Sequence, residues 1–168
     1  MAKRATMHLS HWHRLFEGLQ ESSQKVYGAI IEEMKKQKLP DVKVSKVTYS
    51  EKGILSAKRE YLRVRRQERI FDICAAPFGN NFFISWWLGE TPGFMASLFM
   101  KIPLIGQLLV GTFKPETYYT IDTTLMFQDS VHSAVLNAMD KLMEGKGLRA
   151  MTELERKPIM SDLFKRKL

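Results

Sequence analysis

Between Thr91 and Lys114 the chain reads PGFMASLFMKIPLIGQLLVGTF, a run whose single charge is Lys101. No other stretch constrains the fold as sharply, because about 20 predominantly apolar residues is the length of a membrane-spanning helix. Lys101 and Pro103 fall at its middle, where a charge costs roughly 2.5–3.5 kcal/mol and a proline interrupts the helical hydrogen bonds. A single pass is therefore unfavourable. Two shorter arms hinged at Lys101–Pro103 and Gly106 are expected instead, lying in a bilayer interface, packing on another protein, or covering a sheet as ordinary core. Phe94, Leu98, Phe99, Ile102, Leu104, Ile105, Leu108 and Leu109 are the side chains that would meet a membrane or a partner. Trp86 and Trp87 precede the run and Tyr118 and Tyr119 follow it. Such aromatics favour the polar edge of a bilayer, although they also favour the strands of a soluble sheet.

The rest of the chain has the patterning of an α+β domain. Trp12, Leu15, Phe16, Leu19, Val26, Ile30 and Met34 recur at three, four or seven residues, which predicts a long amphipathic helix over 11–37. Ser10 is its expected N-cap and Pro40 its stop. The period then shortens to two, giving strands over 42–47, 60–66, 70–76 and 82–88, with turn chemistry at 49–53 and a tight hairpin through Pro77–Asn81. A Thr/Tyr-rich strand over 117–126 and a helix from Asp129 or Ser130 to Glu144 follow, closed by Gly145 and Gly147. Thr152 to Glu155 has capping-box spacing for a short terminal helix. These elements predict one domain over 1–168 with an apolar insertion at 93–113. Its architecture is a mostly antiparallel sheet of about five strands, a long N-terminal helix and C-terminal helices, because the connections are too short for parallel crossovers.

Charge narrows the partners. Lys and Arg number 26 against 18 Asp and Glu, a net charge of +8, which favours nucleic acid or an acidic membrane surface without choosing between them. The densest basic stretch holds Lys58, Arg59, Arg63, Arg65, Arg66 and Arg69. On a strand, Arg63 and Arg65 share a face with Tyr61, so Lys58, Arg59, Tyr61, Arg63 and Arg65 form the candidate contact for an anionic partner. The alternative for this stretch is a solvated strand whose charges protect a sheet edge.

Catalytic chemistry has little to build on. The one cysteine, Cys74, excludes an intramolecular disulfide and a Cys-rich zinc site. Asp72 and Cys74 point to one face of a strand, but a cysteine between Ile73 and Ala75 reads as a small buried hydrophobe. Asp72 and Asp122 lie in apolar or Tyr/Thr-rich stretches where an unpaired carboxylate is costly, with the arginine cluster as expected partner. Among His8, His11 and His13 only the first two have helical ligand spacing, and the expected helix start between them argues against a metal. No phosphate-loop, dinucleotide-loop, nucleophile-elbow or zincin motif occurs.

The sequence thus predicts a non-enzymatic interaction or scaffold protein with no cofactor, metal or small-molecule substrate. It attaches to an anionic membrane surface or to protein subunits, its own or others', through 93–113. The N-terminus lacks an apolar signal segment, so the expected location is cytoplasmic, peripheral at the inner face of a membrane. The alternative function is a nucleic-acid-binding domain using Tyr61–Arg66.

Overall fold

A computed structural model describes residues 7–50, 58–91 and 117–160. Its elements are β1 (Met7–Glu17), α1 (Ser23–Gln37), β2 (Val42–Ser50), β3 (Lys58–Arg66), β4 (Arg69–Phe78), β5 (Asn81–Glu90), α2 (Tyr118–Glu144), α3 (Glu153–Arg156) and β6 (Ile159–Met160). The six strands form one sheet in the order β2-β3-β4-β5-β1-β6, and every neighbouring pair is antiparallel. The class is α+β, with five long strands and a two-residue sixth.

The middle strands follow their alternation. Leu62 and Val64 on β3, Phe71, Ile73 and Ala75 on β4, and Phe82, Ile84, Trp86 and Leu88 on β5 are buried on one face, where they meet Trp12 and Phe16 of β1 in register. This inner face packs against Val26, Tyr27, Ile30 and Met34 of α1 and Phe127, Val131, Val135 and Met139 of α2. Where the β3–β4 pairing ends, the Tyr27 hydroxyl donates to the Glu60 carbonyl (2.9 Å) and accepts from the Ala75 N–H (3.1 Å), so one ring ties α1 to both strands. The β4–β5 hairpin turns at Gly79–Asn80 as expected, with Gly79 at φ +59°, the left-handed conformation that a residue without Cβ enters cheaply.

Two expectations fail. The helix predicted over 11–37 is a strand for its first part, and the longest helix lies in the C-terminal half. The spacing of Trp12, Phe16 and Leu19 matches a helical stripe. In the structure, Ser10, Trp12 and Phe16 are buried while His13, Leu15 and Glu17 are exposed, and Trp12 pairs with Trp86. The cap is accordingly Ser22, whose hydroxyl accepts from Lys25 N–H, and Ser10 donates instead to Gln128 Oε1 at 2.5 Å.

The strand predicted over 117–126 is the opening of α2, which runs from its N-cap Thr117 past the expected start at Asp129 or Ser130. Thr123 and Thr124 donate their hydroxyls to the carbonyls of Tyr119 and Thr120. Such back-bonding lets β-branched polar residues sit in a helix with their oxygens satisfied. Smaller differences occur at turns. Tyr49 and Ser50, expected in a turn, close β2, and Gly145 caps α2 in the right-handed region while Gly147 takes positive φ. The capping box at Thr152 forms as its spacing predicts.

Beyond α3 the chain returns to the sheet, because β6 pairs with Ser10 and His11. Trp12 Nε1 donates to the Glu155 carbonyl at 2.8 Å. Trp86 Nε1 donates to His132 Nδ1 at 3.0 Å, and His132 Nε2 meets the Arg156 carbonyl at 2.6 Å. Since Nδ1 accepts, the proton resides on Nε2, and the neutral ring bridges sheet, α2 and α3. Burial holds His132 below the ordinary histidine range. The unfolded chain therefore takes up this proton at higher pH than the folded one. The contribution to stability is complete above the unfolded value, about 6.5, and is lost as pH falls toward the folded value. The urea midpoint is expected to drop between pH 7.5 and 5.5, and His132→Leu should show a smaller drop; equal drops in both proteins would assign the acid sensitivity to other groups.

Candidate functional site

The face of the sheet turned away from α1 and α2 can be read row by row from the register. One row runs Lys43, Arg65, Ile70, Gly89 and His8; the next runs Ser45, Arg63, Asp72, Trp87, His11 and Ile159, crossing all six strands. Arg59 and Tyr61 continue this face along β3. Arg59, Tyr61, Arg63 and Arg65 therefore share one surface, as their spacing predicts. Lys58 does not: its alternation places it with Leu62 and Val64 on the other side, at the start of the strand.

Arg63 is not available to a partner. Its Nε donates to Asp72 Oδ1 and its Nη2 to Asp72 Oδ2, both at 2.7 Å, and Tyr49 donates its hydroxyl to Oδ2 at 2.8 Å while itself accepting from Nη2. The carboxylate keeps the guanidinium well into its charged form. Asp72 thus has the arginine partner expected for it; of the other cations on this face Lys43 is exposed, Arg65 donates its Nε to the Gln67 carbonyl at 2.8 Å, and Arg59 lies against Tyr61 and Cys74. Asp122, expected on a strand, is exposed on α2 and carries no burial penalty. Cys74 shares the face of Asp72 but is 1% exposed. Burial pushes its thiol up, against the thiolate that a nucleophile requires.

The three N-terminal histidines gather here for a reason the sequence conceals. A register shift between His8 and Ser10 adds a residue to β1, so His8, three residues before His11, lands on the same face. His11 stacks on Trp87 with centroids 4.6 Å apart, His8 meets the same indole edge-on at 5.5 Å, and His13 lies parallel to His11 at 6.2 Å. Trp87 is still 43% exposed. Among the described residues no three His, Cys, Asp or Glu side chains converge as a metal site. A cavity of about 430 Å³ opens at the far end of β1, but Glu155 sits at it bonded to both Arg14 and Arg149, so its charges are already matched.

The expected contact residues Phe94, Leu98, Phe99, Ile102, Leu104, Ile105, Leu108 and Leu109 lie outside the described residues. The elements that flank that segment in sequence, β5 and α2, are described, and one arginine links them. Arg69 pairs with Glu90, the last residue of β5, at 2.6 Å, and its Nε donates to Thr124 of α2 at 2.9 Å. Thr91 N–H is fixed to the Glu68 carbonyl at 2.8 Å. On α2 the side chains of Tyr118 (87%), Tyr119 (80%) and Met126 are exposed. Arg69 was visible in sequence only as one of a basic cluster, and its bridging role follows from the pairing of β4 with β5.

The outer sheet face thus carries basic side chains, Lys43, Arg59 and Arg65, together with the aromatic rings of Tyr61, His11 and Trp87. No protein-family model and no curated protein matches the chain. A solved structure, TTHA0849 from Thermus thermophilus, is similar over 76% of this chain and 97% of its own at 16% identity and a TM-score of 0.23, a likeness too slight to carry an argument. No helix among the described residues is long and apolar enough to cross a membrane.

Proposed function

We propose that this chain is a non-enzymatic attachment protein that holds to an anionic membrane surface through its 93–113 segment, peripherally at the inner face. The observation that carries this reading is the double hold of Arg69 on Glu90 and Thr124. It ties the end of β5, which precedes the segment in sequence, to α2, which follows it. Lys43 and Arg65 supply cations on the outer face of β2 and β3, and Tyr118 and Tyr119 at the start of α2 supply aromatics of the kind that settle at headgroup level. The expected result is co-flotation with vesicles of 30% phosphatidylglycerol in phosphatidylcholine, weakened by 0.5 M salt and poor with phosphatidylcholine alone. A protein that ignores both vesicles and instead doubles its mass in light scattering would assign the segment to subunit contact.

Nucleic acid on Arg59, Tyr61 and Arg65 is a second reading, favoured by their common face and weakened by the capture of Arg63. It requires salt-dependent oligonucleotide binding that Arg59→Gln with Arg65→Gln removes.

A further inference from the structure

The β2 strand ends the sheet. In the order β2-β3-β4-β5-β1-β6 it has β3 on one side, and among the described residues nothing pairs with the other. It is nine residues long, and its register with β3 runs from Val42 opposite Arg66 to Ser50 opposite Lys58 without a bulge. At an antiparallel rise of about 3.4 Å per residue this is an edge of roughly 30 Å. Lys43, Val44, Ser45 and Lys46 are exposed in succession. Since successive side chains point to opposite faces, neither face of this stretch is covered. The helices stop short of it: Val64 on β3 is fully buried, whereas Val44, directly opposite, is 41% exposed.

An open edge templates further strands, and native edges are ordinarily blunted by bulges, brevity or lysines. Here the strand is long and regular. Lys46, the lysine at its centre, is drawn back to Gln24 and to Glu60, the latter at 3.2 Å.

We infer that the β2 edge is a docking site for an extended acidic segment of a partner protein, which adds to the sheet as one more strand. Backbone hydrogen bonds supply the hold, and side chains at alternate positions supply the selection. The register sets what those side chains are. A residue added beside Val44 lies on the helix side, where an apolar side chain extends the cover that the helices leave incomplete. Its neighbours in sequence lie on the outer side beside Lys43, with Arg65 in the next strand. The segment that fits therefore alternates apolar and acidic residues. Lys43, Lys58, Arg59 and Arg65 are exposed along β2 and β3, Glu60 is engaged by Lys46, and Asp41 is exposed in the turn before β2. A second copy is the poorer match. Each copy carries a net charge of +8, and two-fold pairing centred between Val44 and Lys46 sets the lysines of the two strands against each other.

The test uses the full chain without lipid and a fluorescein-labelled peptide, matched to β2 in length, that alternates glutamate and valine. Fluorescence anisotropy should show saturable binding, and the counterpart of alternating lysine and valine should not bind. Two N-methylated forms of the acidic peptide, each blocking alternate amides, separate a backbone ladder from charge alone. The form methylated on the amides that face β2 should lose binding, and the complementary form should keep it. Lys43→Glu, with an unchanged circular dichroism spectrum, should weaken binding roughly fivefold, the worth of an exposed ion pair. Absence of saturable binding, equal behaviour of the two methylated forms, or full affinity in Lys43→Glu overturns the inference. A dimer in light scattering that Val44→Asp abolishes would give the edge to a second copy and overturn it as well. Flotation with vesicles tests the attachment reading separately, so either can fail alone.

Discussion

Replacing Phe94, Phe99, Leu104 and Leu108 together by serine is expected to abolish vesicle flotation while the circular dichroism spectrum and the thermal transition remain those of the wild type. The reasoning is one of burial. Each such side chain is worth roughly 1.5–3 kcal/mol when removed from water, so four contribute about 6–12 kcal/mol wherever they are buried. Their loss therefore has a large effect in one place or another. The described residues already form one contiguous core cluster: Trp12 and Trp86, Phe71 against Phe127, and the α1 and α2 stripes. If the segment serves attachment, the fold survives and the bound fraction vanishes. If the four serines unfold the protein, the segment belongs to the core and the attachment reading is withdrawn. A folded variant that still floats would transfer lipid binding to the basic face alone.

Asp72→Ala should be the most damaging single substitution on the outer face, costing about 3–5 kcal/mol and lowering Tm by on the order of 10 °C. The side chains of Arg63 and Asp72 are only 11% and 13% accessible, so removing the carboxylate leaves a guanidinium largely cut off from water, with the Tyr49 hydroxyl still beside it. Pairing Asp72→Leu with Arg63→Met removes both charges and should recover most of the loss, since an apolar pair of similar volume replaces a buried ion pair at little cost. Urea denaturation of the two singles and the double closes the cycle. A single variant within about 1 kcal/mol of wild type, or a double no better than the single, would show that the pair is solvated in solution.

Much of this arrangement is written locally. The β3, β4 and β5 strands, the hairpin at Gly79, the common face of Arg59, Tyr61, Arg63 and Arg65, and the capping box at Thr152 all follow from alternation, turn chemistry or short spacing. Such signals survive because the interactions behind them lie within a few residues or within one strand. The pairing of Asp72 with an arginine was also foreseeable, since a carboxylate in an apolar strand requires a cation and the neighbouring strand is rich in them. Arg63 captures it because antiparallel register places the two directly opposite each other.

Other features were not local. Residues 7–17 carry a spacing that suits a helix as well as a strand, and the choice falls to the strand because β5 offers Trp86 opposite Trp12 and β6 closes the other edge over Ser10 and His11. Residues 118–126 carry strand-forming threonines and tyrosines, yet they extend α2 because the buried stripe from Thr124 to Met143 continues on the helical period and packing outweighs propensity. The bulge that aligns His8 with His11, and the grip of Arg69 on Glu90 and Thr124, join positions brought together only by the folded chain. By itself the sequence determined an α+β chain with a basic strand and one long apolar run. Only the tertiary structure decided which strands are neighbours, which arginine is neutralised and how β5 is tied to α2, because those outcomes depend on contacts between segments far apart in sequence.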